Sequence, residues 1–422
     1  MDLQEKVGQM FCVGFEGLRP PPYILEWLRA GRLGGIILFA RNLGTPEELS
    51  ALCGELHAAA KYPIFIAVDQ EGGTVTRMRK HYSESPGAMA LSSAGADGPA
   101  YAERASRILG QEMKAVGINW DFAPSVDVCY NRDNPTVGTR SFGADPVRVA
   151  EMSAAAVRGF QAGGVAACAK HFPGLGDTAI DTHKALASVD RDVELLVEED
   201  LLPYREAIKA GLASVMTTHT VFTQLDPELP ATLSPTVMQR LLRQELGYDG
   251  LVVSDCMEMK AIADHYPPPI ASVLAVEAGL DVVLISHTQD MQAAGYDGLL
   301  AAVQDGRISE ATLDISIARQ MAVKQQFPGA VGDLSIIRAP ESLQAMEAAA
   351  SAGLTLLKGE LPVDFSHKIA VIEFASQLDS EVVEARGVAG LASVMHDVVD
   401  GRSLSLITGD YSRMDEALAL AS

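Results

Sequence analysis

Cysteine is scarce in this chain. The five present, Cys12, Cys53, Cys129, Cys168 and Cys256, include no pair at C-x-x-C spacing. An odd, scattered set in a long chain does not form a disulfide framework. Basic residues are also short, with 33 Lys+Arg against 55 Asp+Glu and a net charge of −22. Nucleic acid and anionic membrane both require a basic face, so neither is an expected partner. A neutral substrate is indifferent to that charge. No apolar run approaches the ~18–20 residues of a membrane span. The start, Met1 to Lys6, has no basic stretch leading into an apolar one. No signal peptide is expected, and a soluble protein of the reducing cytoplasm is the default. What is present is ordinary globular material, 48% hydrophobic and 21% charged, which excludes a largely disordered chain.

Short apolar runs alternate with helical patterns. The runs are Gln9–Val13, Gly35–Phe39, Ile64–Val68, Trp120–Ala123, Val165–Ala169, Ser214–Thr217, Leu251–Ser254 and Asp281–Ile285. They are too continuous to be half-exposed, as in a parallel sheet covered on both faces. Helices are expected at Thr45–Ala60, Ala100–Val116, Pro146–Ala162, Val193–Ala210, Ser234–Leu246, Ala271–Gly279 and Gln289–Ala302. Thr45, Pro46 and Glu48 form a capping-box start. Eight strand–helix repeats predict a (β/α)8 barrel over residues 1–330. A doubly wound open sheet is the alternative, but Phe15-Glu16-Gly17-Leu18 after the first strand is no phosphate-binding turn.

A linker, Pro328 to Gly332, follows. Residues 340–422 read as a small α/β segment: a helix at Pro340–Ala352 and strands at Leu354–Leu357, Lys368–Phe374 and Ser403–Ile407. At this size it is either a truncated domain or one that leans on the barrel.

Catalytic groups of such barrels sit where strands end. Here those positions are rich in ionisable residues. Asp69-Gln70-Glu71-Gly72-Gly73, with Arg77 beyond, follows the third run; Lys170-His171 the fifth; Thr218-His219 the sixth; Asp255 the seventh; and Ser286-His287 the eighth. Taken singly, Asp255 reads as readily as a helix cap, His219 as a core histidine, and Arg77 and Arg140 as surface arginines. Their convergence on one rim favours a site. The loop Phe172-Pro173-Gly174-Leu175-Gly176 then leads to Asp181 and His183. A carboxylate two residues from an imidazole can fix its tautomer and raise its basicity. On a mobile loop the pair can close over substrate.

Lys170-His171-Phe172-Pro173-Gly174 followed by Asp181-Thr182-His183 resembles glycoside hydrolase family 3, in its β-N-acetylglucosaminidase branch. Asp69 to Arg77, Phe122 to Val128, Asn134-Pro135, Gly138 to Gly143, Pro230 to Ser234 and Val253 to Met259 are similar to further stretches of that family. The resemblance covers about residues 1–330. It implies a (β/α)8-type barrel, Asp255 as nucleophile, His183 as general acid/base with Asp181 as its partner, and Asp69, Arg77, Arg140, Lys170 and His171 as binders of the terminal sugar. Two positions depart from the pattern. Leu175 stands where the branch often has histidine, and Cys256 where an acidic residue is common.

The implied reaction is retaining, exo-acting hydrolysis of an N-acetyl-β-glucosaminide of the cell wall or of chitin. A phosphorylase on the same site and a β-glucosidase or β-xylosidase are the alternatives. A non-catalytic sugar-binding barrel sits poorly with an intact Asp255 and His183. No cofactor is called for. His171, Asp181, His183 and His219 could be imagined around a metal, but the paired His-x-His of metal-dependent barrel hydrolases is missing, so none is expected.

Overall fold

A computed structural model describes residues 1–355 and the strands Ile369–Phe374 and Ser403–Thr408. The chain divides into two compact units, Met1–Leu354 and Thr355–Ser422.

The first unit is a closed barrel of eight parallel strands in sequential order: β1 (Phe11–Val13), β2 (Gly35–Leu38), β3 (Phe65–Val68), β4 (Trp120–Asp121), β5 (Ala166–Phe172), β6 (Ser214–Thr217), β7 (Leu251–Cys256) and β8 (Val282–Ile285). β8 pairs with β1 to close it, Phe11 opposite Val283. The eight apolar runs supply these strands, and the reason is visible in the packing. Successive side chains point to opposite faces, so a strand with helices outside and a filled lumen inside is apolar on both. Ile36, Leu38, Ile66 and Val68 face the helices. Ile37, Phe65 and Ala67, the residues between, face the lumen. Trp120 fills the centre, its ring 4.4 Å from Phe65 and 4.8 Å from Phe122, with its indole N–H given to Ser214 Oγ at 2.8 Å. A filled barrel leaves chemistry to the rim.

The helices start and stop as local chemistry dictates. Pro46–Ala59 begins on Thr45, whose hydroxyl accepts from Glu48 N–H while the Glu48 side chain accepts from Thr45 N–H. Pro146–Gly163 ends on Gly164 at φ 97°, a left-handed cap suited to glycine. The single helix expected over 193–210 is interrupted. Leu201 N–H reaches back five residues to Leu196 O, and a new helix, Leu202–Lys209, starts with Pro203, which has no N–H to continue the earlier ladder. A further helix, Glu310–Gln326, was not among those expected; it closes the barrel floor with Val323 and Phe327 beneath the lumen.

The helix Pro340–Ala352 forms as expected and packs within the first unit through Ala345, Met346 and Ala349. Beyond it, Ile369–Phe374 and Ser403–Thr408 pair in parallel, Ile369 opposite Ser403. Leu354 and Thr355 are irregular, and the rest of the strand expected at 354–357 lies outside the described residues. Among the described residues no helix is long and apolar enough to cross a membrane.

Candidate active site

Two irregularities in strand pairing aim the rim residues. On β5, Ala169 pairs with Val215 and Phe172 with Thr217, so Lys170 and His171 share the space opposite one residue. On β7, Val253 pairs with Val282 and Cys256 with Leu284, leaving Ser254 and Asp255 opposite one. Each is a bulge, which breaks the two-residue alternation and re-aims side chains at the end of a strand. Ser254 Oγ repairs the second gap by accepting Leu284 N–H at 2.9 Å.

A cross-braced cluster of charge lies at the ends of β3, β4 and β5. Lys170 Nζ is 2.7 Å from Asp69 Oδ1 and 2.6 Å from Glu71 Oε1. Arg140 grips Glu71 with two bonds, Nε at 2.9 Å and Nη2 at 2.7 Å, and donates to Thr136 O. Arg77 Nη2 stands 3.7 Å from Asp69 Oδ2. Its position comes from the hairpin Gln70–Gly72/Val75–Thr76. Gln70 Oε1 accepts from both Arg77 N–H and Met78 N–H, folding the chain back on β3. Lys170, Arg140 and the Glu71 side chain are almost fully buried. Burial alone would raise the Glu71 carboxyl, but the Arg140 and Lys170 charges hold it well below its ordinary value. Burial opposes the charge on Lys170 and Arg140 too, yet the carboxylates around them keep both firmly protonated.

His171 is set by a residue to which sequence reasoning gave no role. Asp127 Oδ2 lies 2.7 Å from His171 Nδ1, and Asp127 Oδ1 accepts from His171 N–H at 3.1 Å and Leu175 N–H at 2.7 Å. This leaves His171 Nε2 facing Arg140 Nη2 at 3.5 Å. Leu175, at the position that departs from the family pattern, is buried.

Asp181 and His183 sit on the loop that follows. Asp181 Oδ1 lies 2.8 Å from His183 Nδ1 and accepts His183 N–H at 3.0 Å. Burial alone would raise the Asp181 carboxyl, but its hydrogen bonds from His183 bring it below the ordinary range. The loop is tied at its base by Asn134 to Leu175 O and Thr178 Oγ1, and by Asn131 to Thr178 O. It touches the segment after β7 through Ala261 N–H to Thr182 O, a long 3.4 Å.

Asp255 is half-buried at the end of β7, its Oδ1 accepting Cys256 N–H at 2.7 Å. Burial alone would raise its carboxyl; His171, His219 and His183, all near enough for their charge to act on it, lower it instead. The end of β5, which carries His171, and the loop that carries His183 therefore both bear on this one carboxylate. His219 is the core histidine of its blander reading: fully buried, Nδ1 2.8 Å from Thr232 Oγ1 and Nε2 2.9 Å from Cys256 O. That second bond anchors Cys256, whose N–H in turn donates to Asp255. Glu71, Asp127 and His219 all lie inside or beside the quoted motifs. Nothing in a single sequence separates an acid that holds a cation from an acid that holds substrate.

The family described as "Glycosyl hydrolase family 3 N terminal domain" matches residues 2–323. A β-hexosaminidase of Stenotrophomonas maltophilia (strain R551-3) is 38% identical over 308 residues, 72% of this chain and 90% of that protein. β-Hexosaminidase A of Pseudoalteromonas piscicida is 36% identical over 341 residues, and this chain spans only 57% of its length. A family 3 β-N-acetylglucosaminidase structure from Paenibacillus sp. str. FPU-7 superposes with a TM-score of 0.93 at 39% identity, covering 100% of this chain and 83% of that one. With its sequential barrel and this rim, the chain belongs to glycoside hydrolase family 3.

Proposed function

We propose that this chain is a retaining exo-β-N-acetylglucosaminidase acting on peptidoglycan-type or chitin-type saccharides. What supports the reading is that His183, paired with Asp181 on the flap, and His171, next to the donor-rich cluster at the ends of β3 to β5, both act on the Asp255 carboxylate. The names of the relatives, β-hexosaminidase and β-N-acetylglucosaminidase, point the same way. The five free cysteines fit a reducing compartment.

Arg77, Arg140 and Lys170 carry only donors, Asp69 accepts, and His171 offers its Nε2. Together they hold the hydroxyls of one terminal sugar, which favours cleavage from a chain end. Asp255 then lies under the anomeric carbon. Its carboxylate forms a bond to that carbon as the bond to the leaving oxygen breaks. Asp181 accepts from Nδ1 of His183, so Nε2 carries the proton to the leaving oxygen. The neutral ring next takes a proton from water, whose oxygen displaces Asp255 and restores the β configuration. An imidazole suits this double duty because its unperturbed pKa of ~6.5 needs no large shift near neutral pH.

The test is turnover of an aryl N-acetyl-β-glucosaminide and the anomer first released. Asp255→Ala should lose on the order of 10⁴-fold in kcat, and the first product should be the β anomer. Full turnover by the variant, or an α product, would exclude the covalent route. Formation of the sugar 1-phosphate when phosphate is added would replace hydrolysis by phosphorolysis. Preference for an aryl glucoside or xyloside would move the chain to another branch of the family.

A further inference from the structure

Beside the nucleophile, on the face of the rim away from the charged cluster, lies a group of side chains that the reaction does not use. Cys256 is the residue after Asp255. Its Sγ, a Glu258 carboxylate oxygen and a His287 ring nitrogen all lie within 4.8 Å of one another. Ser286 Oγ is buried beside the Cys256 thiol. His287 is exposed, so the group opens to solvent.

Thiol, imidazole and carboxylate together are the donor set of a tetrahedral soft divalent ion. Bonds of ~2.0–2.3 Å place such ligand atoms about 3.5 Å apart, so side-chain rotation alone closes the group. The carboxylate is already aimed, since Glu258 Oε1 accepts Thr288 N–H at 2.9 Å and Oε2 accepts His287 N–H. One charge opposes an ion there. Arg41 Nη2 is 3.0 Å from His287 Nδ1. That guanidinium is also held by Phe15 O, Ser286 O and Glu16, so it can release the ring without leaving its place.

We propose that Cys256, Glu258 and His287 bind a divalent zinc-like ion, and that occupancy inhibits the enzyme. On binding, the thiol proton leaves to solvent as the metal–sulfur bond forms. Inhibition follows from the backbone: the Cys256 N–H holds Asp255 Oδ1, and the Cys256 carbonyl accepts from His219. An ion that pulls Sγ toward Glu258 shifts the peptide on which the nucleophile depends. The site stands on its own geometry; the inhibition rests on the activity proposed above.

Titration of the whole chain with Cd²⁺ reads binding without turnover, through the ultraviolet cadmium–thiolate charge-transfer band. The expected result is one such band of unit stoichiometry, lost in Cys256→Ser and weakened in His287→Ala. Activity titrated with Zn²⁺ should then fall in the unmodified chain and need at least tenfold more Zn²⁺ in Cys256→Ser, whose backbone is unchanged. A band that persists in Cys256→Ser, or no band at all, overturns the site. Equal Zn²⁺ sensitivity of both proteins overturns the inhibition and places it elsewhere, for example at Asp181 and His183. If no substrate is turned over, the hydrolase reading fails while the cadmium band still decides the site.

Discussion

The two sides of the barrel mouth are built in opposite ways. On the side of β3 to β5, proposed to hold the sugar, Asp69, Glu71, Arg140 and Lys170 are joined by bonds of 2.6–2.9 Å and are mostly buried. On the flap side, His183 is held by Asp181, and the loop backbone reaches the barrel near it through a 3.4 Å bond. The first arrangement costs nothing to reorganise when a sugar arrives, because its donors are already fixed. The second buries Asp181 and Thr182 and leaves His183 half-buried beside the exposed Lys184 and Ala185, which suits an arm that must admit a saccharide and then reach the leaving oxygen. Under the proposed function, the rigid side recognises the sugar and the loop transfers the proton.

The largest expected break in this division is His183→Ala. It should lower kcat by roughly 10²–10⁴ on substrates with poor leaving groups and far less on activated aryl glycosides. KM and thermal stability should barely move. A large fall in melting temperature would mean that the flap is part of the scaffold after all.

Glu71→Gln should do the reverse. Removing one partner of a buried ion cluster costs about 3–5 kcal/mol of stability. The freed Arg140 and Lys170 should also raise KM more than they lower kcat. The sign with pH follows from the same carboxyl. It titrates below its ordinary 4.5 in the folded chain. Its contribution is therefore complete above that value and is lost as pH falls toward the lower, folded one. Urea midpoints should drop on acidification from about pH 5 to pH 3, and the drop should be shallower in Glu71→Gln. An identical slope in both proteins would put the acid-sensitive group elsewhere.

These two residues also show what was readable beforehand. The eight strands were legible because burial on both faces leaves an uninterrupted apolar run, and the rim followed from where those runs end. Asp181 and His183 were legible as a pair because their partnership is local, two residues apart. Glu71 and Asp127 were not, because their partners lie 69 and 44 residues away. The bulges at Lys170-His171 and Ser254-Asp255 are properties of strand register, which only the neighbouring strand reveals. The helix Glu310–Gln326 escaped for another reason. Its buried face carries Ser316, Gln320 and Lys324 as well as Leu313 and Ile317, so the apolar period is masked. Ser316 and Gln320 are buried because they serve Asp281, whose carboxylate and carbonyl they bond.

Asp127 sharpens the comparison because it belongs to both sides. One of its oxygens takes His171 Nδ1, the other the N–H of Leu175 at the root of the flap. Asp127→Asn substitutes a donor for one of those acceptors and should cost about 1–3 kcal/mol. Unlike the two variants above, it should move KM and kcat together. A change in KM alone would show that the flap root is held by Asn131 and Asn134 without it.

The smallest effect tests the looseness of the flap itself. Ala261 donates to Thr182 O at 3.4 Å from the first turn of the helix Lys260–Ala263. Proline is tolerated in a first turn, since those N–H groups have no helical partner. Ala261→Pro deletes the docking bond, and because Ala261 is fully buried the variant's melting temperature must be measured alongside turnover. A bond of that length lies at or below the lower end of the usual ~0.5–1.5 kcal/mol, which corresponds to about a twofold change in the closed population. Measured well below the melting temperature, steady-state kcat should fall by no more than that. A loss of tenfold or more at unchanged stability would mean that this single bond sets where His183 stands. The flap would then be a fixed wall of the site, and the contrast between its two sides would disappear.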